Sequence, residues 1–244
     1  MIFQTSKYVL KRVLRDFISI GILFVTPLAL ITILGLIADG SMDELLGIPM
    51  TDSVALSIIL AFQLFSGFYT LELIQQDLLK ARKWRLMSLP VSLNRYMYSI
   101  ILVTTTYGGL QSFMISHYTR IVYGVNWGSQ LRLILGILIV SFMIQTLYLN
   151  IALFLKDIKT MERTATGIGL LSLLLGGVWF QLPDNSVLNF LGTYGNPYSL
   201  AQNILLDGMK AQVTFEGLVS MGICVLLGGG LVLASEIKGR KLFR

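Results

Sequence analysis

Long uncharged runs alternate with short charged segments along the chain. The uncharged windows cover residues 17–38, 53–71, 96–119, 133–155, 164–183 and 217–235, with lengths of 22, 19, 24, 23, 20 and 19 residues. A helix needs about 20 predominantly apolar residues to cross a hydrocarbon core. Helix is the required form, because backbone polar groups find no water partners there. The pattern therefore predicts an all-α integral membrane protein with six transmembrane helices in a single domain over residues 1–244. A seventh uncharged window, residues 185–206, contains Asn185, Asn189, Asn196, Gln202, Asn203 and Pro197. It is too polar for lipid, and a seventh crossing would separate two basic termini.

The segments between the windows carry their own patterns. In residues 3–16, Lys7, Lys11 and Arg15 recur every four positions, with Val9, Leu10, Val13 and Leu14 round the other side. This predicts an N-terminal amphipathic interfacial helix whose basic face meets anionic lipid. Within residues 184–215, Asn196 is placed to cap a helix, Pro197 to occupy its first turn and Gly208 to end it. Leu200, Ile204 and Leu205 form its apolar face, so a short extracellular helix is expected between spans 5 and 6. Pro27 predicts a kink in the first span, and the Gly176–Gly177 pair predicts a bend or a close contact. Tyr96 and Tyr98 are expected as interfacial aromatics at the start of the third span, and Tyr118, Arg120, Tyr123 and Trp127 as an outer rim. Residues 156–163, KDIKTMER, read as a cytoplasmic loop.

Composition supports the membrane reading. The chain is 55% hydrophobic and 13% charged, against about 25% charged in soluble domains. The net charge of +6 does not point to nucleic acid, because the basic residues flank apolar runs instead of forming a patch. Their distribution sets an orientation. With both termini inside, sixteen of the 19 Lys and Arg residues fall on the cytoplasmic side, and only Arg120, Arg132 and Lys210 fall outside. This predicts a multi-pass cell-membrane protein with cytoplasmic ends. Cys224 is the single cysteine and lies in an apolar run, so no disulfide or zinc framework is spelled. The basic N-terminus precedes a run too long for a signal-peptide core.

No catalytic motif is present: there is no HExxH, no GxSxG and no GxxxxGK[ST]. His117 is the single histidine. No acidic residue falls in the middle of a span, which argues against a proton- or sodium-coupled carrier. An intramembrane enzyme would need two convergent reactive groups at one depth, and none are apparent. Gln63, Gln111, Gln145 and Asn150 are polar groups at membrane depth. Such groups commonly tie helices together, and Gln63, Gln145 and Asn150 are also weak candidates for a cargo path. An active transporter of this composition must take its energy from a partner.

The most basic short segment is residues 77–92, DLLKARKWRLMSLPVS, between the second and third windows. It resembles the segment of the form EREKGTLERLLSLPVS that members of the ABC-2 permease family, the membrane subunits of type-2 ABC exporters, carry at this place. Asp77 takes the first acidic position, Arg85 and Leu86 fit the RL pair, and Leu89 to Ser92 fit the close. The chain departs from the pattern at Leu79, Ala81 and Arg82, which leaves the segment more basic. GGVWFQLP (176–183) and NPYSLAQNILLDG (196–208) fit further stretches of the same family. The resemblance implies a coupling helix over residues 77–88, docked into a cleft on an ABC ATPase subunit. Asp77, Arg82, Trp84, Arg85, Leu86 and Pro90 are the coupling residues it indicates: Trp84 and Leu86 fill the cleft, and Arg82 and Arg85 meet acidic groups on its rim. It also implies two ATPase subunits, which bind ATP and Mg while this chain binds no cofactor, and a second membrane subunit, identical or different. The implied cargo is amphiphilic: an antimicrobial peptide, a drug or a lipid. A glycan or teichoic-acid exporter, or a non-transporting immunity or anchor protein, would share the topology.

Overall fold

The computed structural model describes residues 2–38, 40–79, 84, 92–155, 157–178 and 183–242. Among these residues the chain forms nine α-helices: α1 (Ile2–Val13), α2 (Phe17–Ile37), α3 (Met50–Ile74), α4 (Leu93–Tyr123), α5 (Gln130–Phe154), α6 (Ile158–Leu175), α7 (Ser186–Thr193), α8 (Pro197–Met209) and α9 (Phe215–Leu242). A two-stranded antiparallel hairpin, β1 (Met42–Asp43) and β2 (Ile48–Pro49), lies between α2 and α3 and pairs Met42 with Pro49 and Asp43 with Ile48. The all-helical expectation therefore holds apart from this hairpin. Asp43 shapes its turn by accepting hydrogen bonds from the amides of Leu45 and Leu46, both at 3.0 Å.

Four helices are long and apolar enough to cross a bilayer: α2, α3 with its continuation to Leu78, α5, and α9 as far as Gly239. α4 has the length, at 31 residues. However, Thr104–Thr106, Gln111, Ser112, Ser116 and His117 make it more polar. α6 opens with Lys159, Glu162 and Arg163, which leaves a shorter apolar remainder.

α5 is the hub of the bundle and packs against α9, α4 and α3. Burial of the apolar stretches follows that position: 72% in α5 and 61% in α3, but 17% in α2 and 22% in α9. α2 and α9 thus keep most of their apolar surface outward, as helices in contact with lipid do.

Several boundaries differ from the sequence expectation. The loop over 156–163 is largely the first turn of α6, because the Asp157 carboxylate caps that helix, accepting from the Thr160 amide at 2.8 Å and its hydroxyl at 2.7 Å. The two bonds hold the Asp157 carboxyl below its usual range. The 184–215 segment contains two helices instead of one. α7 is capped by Asn185, whose side chain accepts from the Val187 amide at 2.9 Å. α8 starts as expected, with Asn196 accepting from the Ser199 amide at 2.8 Å and Pro197 in the first turn. It does not end at Gly208. The chain turns at Ala211, which takes a left-handed φ of 54°. Gly208 instead makes a close approach: its carbonyl lies where a side chain on Gly128 would sit, and Gly128 itself has φ 64°.

Gly176 and Gly177 end α6. Gly176 caps it against the Tyr198 ring, which occupies the space a Cβ would need, and Gly177 follows with φ 70°. Trp127, expected on the outer rim, is 2% exposed and donates its indole N–H to Thr119 Oγ1 at 2.9 Å. A polar tip that finds an internal acceptor can be buried with its ring.

Candidate functional site

The basic segment leaves α3 through a π-helical turn, Gln75–Leu79. Asp77 lies in this turn, 5% exposed. Its carboxylate accepts from Arg12 Nη1 at 2.7 and 2.6 Å, and from the Tyr96 hydroxyl. Arg12 Nη2 also donates to the Gln76 side-chain oxygen at 2.6 Å. One carboxylate thereby joins α1, the end of α3 and the start of α4. The packing beneath is apolar: Val9 and Val13 of α1 are buried, and the Tyr69 hydroxyl of α3 donates to the Val13 carbonyl at 3.4 Å.

Arg12 separates from the other basic residues of α1 for a geometric reason. Lys7, Lys11 and Arg15 recur every four residues and are exposed together, whereas Arg12 sits one position on from Lys11 and turns inward. Beside Arg12 a cavity of about 310 Å³ is lined by Arg15, Asp16, Tyr69, Glu72 and Gln76.

Of the other coupling candidates, Trp84 is 75% exposed. Arg82, Arg85, Leu86 and Pro90 lie outside the described residues. Tyr96, expected as an interfacial aromatic, is buried in the clasp with Asp77. Tyr98 donates to Glu236 Oε2 at 3.1 Å, joining the start of α4 to the end of α9.

The three cargo-path candidates lie inside the bundle. Gln145 of α5 accepts from Thr70 Oγ1 at 2.5 Å and donates to Ser66 Oγ at 2.9 Å, both on α3. Gln63 of α3 accepts from Ser112 of α4. Ser141 of α5 donates to the Thr105 carbonyl of α4 at 3.0 Å. This polar junction ties α3, α4 and α5 where they meet. Asn150 works elsewhere: its amide donates to the Thr146 and Leu231 carbonyls, each at 2.8 Å, fastening α5 to α9. Gln111 donates to the Leu23 carbonyl at 2.7 Å, fastening α4 to α2. Each amide bridges two helices, the role such groups commonly take in lipid. His117 is exposed and stacks on Phe113, with ring centroids 6.1 Å apart.

The sequence reading missed Arg12 and Tyr96 as partners of Asp77. No local signal joins positions 12, 77 and 96, because the contact depends on how three helices meet. Among the described residues no group of three or more His, Cys, Asp or Glu side chains is placed to hold a metal ion. Compared with protein families, curated proteins and solved structures, the chain matches none.

Proposed function

We propose that this chain is the membrane-spanning permease subunit of an ATP-driven exporter of the ABC-2 type. In this reading it crosses the membrane six times, through α2, α3, α4, α5, α6 and α9, with both ends in the cytoplasm. α4 crosses despite its polar residues because several are paired inside the bundle, including Ser112 with Gln63 and Gln111 with the Leu23 carbonyl. α1 lies in the headgroup layer with Lys7, Lys11 and Arg15 toward anionic lipid. Two ATPase subunits carry ATP and Mg, a second membrane subunit completes the path, and the cargo is amphiphilic.

The observation that carries the proposal is the Arg12–Asp77–Tyr96 clasp. It anchors the root of the 77–92 segment to α1 and α4 while Trp84, seven residues on, is exposed. A displacement of the segment by an ATPase would act on three helices together instead of bending one loop. Asp77 accordingly serves as the internal anchor, and Arg82, Trp84, Arg85, Leu86 and Pro90 form the docking element.

Co-purification with an ATP-binding partner subunit tests the reading. The wild-type chain is expected to retain that subunit, and Trp84→Ala with Arg85→Glu is expected to release it and abolish transport-linked ATP hydrolysis. Retention and activity undiminished in the double variant would exclude the coupling role.

A further inference from the structure

A second cavity lies at the end of the bundle opposite α1, and neither the clasp nor the polar junction touches it. Its volume is about 920 Å³, at the upper end of the range for small-molecule pockets. The end of α2, the hairpin, the start of α3, the end of α6 and parts of α7 and α8 line it. Leu34, Leu46, Val54, Ile58 and Leu175 supply aliphatic walls, and Met42 and Met50 add adaptable thioether surface.

Its charge is of one sign. Asp43 and Glu44 line it, and among the described residues no Lys or Arg does. Lys210 lies close to Gly47 on the hairpin but is not part of the lining. The two carboxylates differ. Asp43 is occupied by the Leu45 and Leu46 amides and the Ser53 hydroxyl, so it contributes field without a free hydrogen-bonding oxygen in prospect. Glu44 is exposed, and no hydrogen bond or ion pair engages its side chain among the described residues. The Gln202 side chain also faces the cavity without a hydrogen-bond partner among the described residues.

We infer that this cavity is a binding site for an amphiphilic monocation, a compact positive group on a bulky apolar body. The body is desolvated against the aliphatic and methionine walls. The positive group sits at the mouth beside Glu44, with Asp43 adding to the attractive field. An anionic amphiphile of the same shape meets two carboxylates and is rejected. The inference does not rest on the transporter reading: binding is an equilibrium property of this chain and needs no ATPase.

The test uses the full chain in nanodiscs of zwitterionic phosphatidylcholine, with binding of radiolabelled tetraphenylphosphonium corrected for empty nanodiscs. Tetraphenylborate, nearly the same shape with the opposite charge, is the control. Saturable binding of the cation at one site per chain is expected, weakened by salt and stronger than that of the anion. Glu44→Lys, a change at an exposed position, is expected to weaken it about ten-fold. Val54→Trp, which fills the cavity, is expected to abolish it, with helicity by circular dichroism confirming the fold. The inference fails if no saturable binding is found, if cation and anion bind alike, or if Glu44→Lys leaves cation affinity unchanged. It also fails if mass spectrometry finds a co-purified phospholipid that holds the cavity against exchange.

Discussion

Asp77 is the residue on which the cytoplasmic end of this reading depends. Its side chain is 7% exposed and that of Arg12 27%, so the pair is largely removed from water and each partner needs the other. Removing the carboxylate takes away the charged partner of the Arg12 guanidinium and the hydrogen bond that the Tyr96 hydroxyl donates to it. Losing one partner of a buried pair costs about 3–5 kcal/mol, and the partial exposure of Arg12 reduces that figure. Asp77→Ala is therefore expected to destabilise the chain by about 2–3 kcal/mol. Asp77→Asn, which keeps an acceptor for Tyr96, should cost less. Thermal unfolding in detergent, followed by circular dichroism, would check both; equal stability of wild type and Asp77→Ala would show that the clasp does not hold. The acidic residue and its place at the foot of an apolar run were legible in the sequence. The burial of Asp77 was not, since a lone Asp in a basic segment normally reads as a solvated charge.

At the scale of elements, α8 shows how a polar-looking segment becomes part of the core. Tyr198, Leu200, Ala201 and Leu205 are buried, and the helix packs on α9, α5 and α3. The Tyr198 hydroxyl donates to Ser57 Oγ at 3.2 Å, and burial pushes its phenol up to about 12. The sign of the pH dependence follows. The unfolded phenol ionises near its ordinary value of 10.0, while the folded one keeps its proton. The Tyr198 contribution is therefore complete below about pH 10 and is lost as pH rises through the folded pKa near 12. Wild type should lose stability across that interval more steeply than Tyr198→Phe, and parallel alkaline limbs in denaturation curves of the two proteins would contradict this. The N-terminal boundary of α8 was readable because an Asn cap followed by Pro is a local signal. Its C-terminal boundary was not, because Gly208 is used for a close approach to Gly128, a contact between distant parts of the chain.

For the whole molecule, the decisive property is which end faces which side of the membrane. α1 and the root of the 77–92 segment are at one end of the bundle, joined by the clasp; the hairpin and α8 are at the other, where Tyr198 meets Ser57 near the start of α3. The single native cysteine, Cys224, is fully buried, so it gives little background to labelling. In intact cells, a membrane-impermeant maleimide is expected to label Glu44→Cys and to leave Lys7→Cys and Lys83→Cys unlabelled until the membrane is opened. Labelling of position 83 from outside would reverse the orientation and remove the basis for ATPase docking.

Sequence alone determined the membrane class, the approximate positions of the long helices and the asymmetry of basic residues. These depend on composition and run length, and lipid imposes them on any chain irrespective of how its helices meet. It also located the Asn196 cap and Pro197 in the first turn of α8, whose interactions span only a few residues. Tertiary structure decided the rest. It turned Arg12 inward while Lys7, Lys11 and Arg15 stay exposed, and it joined Gln145 to Thr70 and Ser66 and Asn150 to Leu231. It also brought segments more than a hundred residues apart together around a cavity whose lining includes Asp43 and Glu44. Each of these depends on the relative placement of helices, which local periodicity cannot encode: it tells which face of a helix is apolar, but not which neighbour that face will meet.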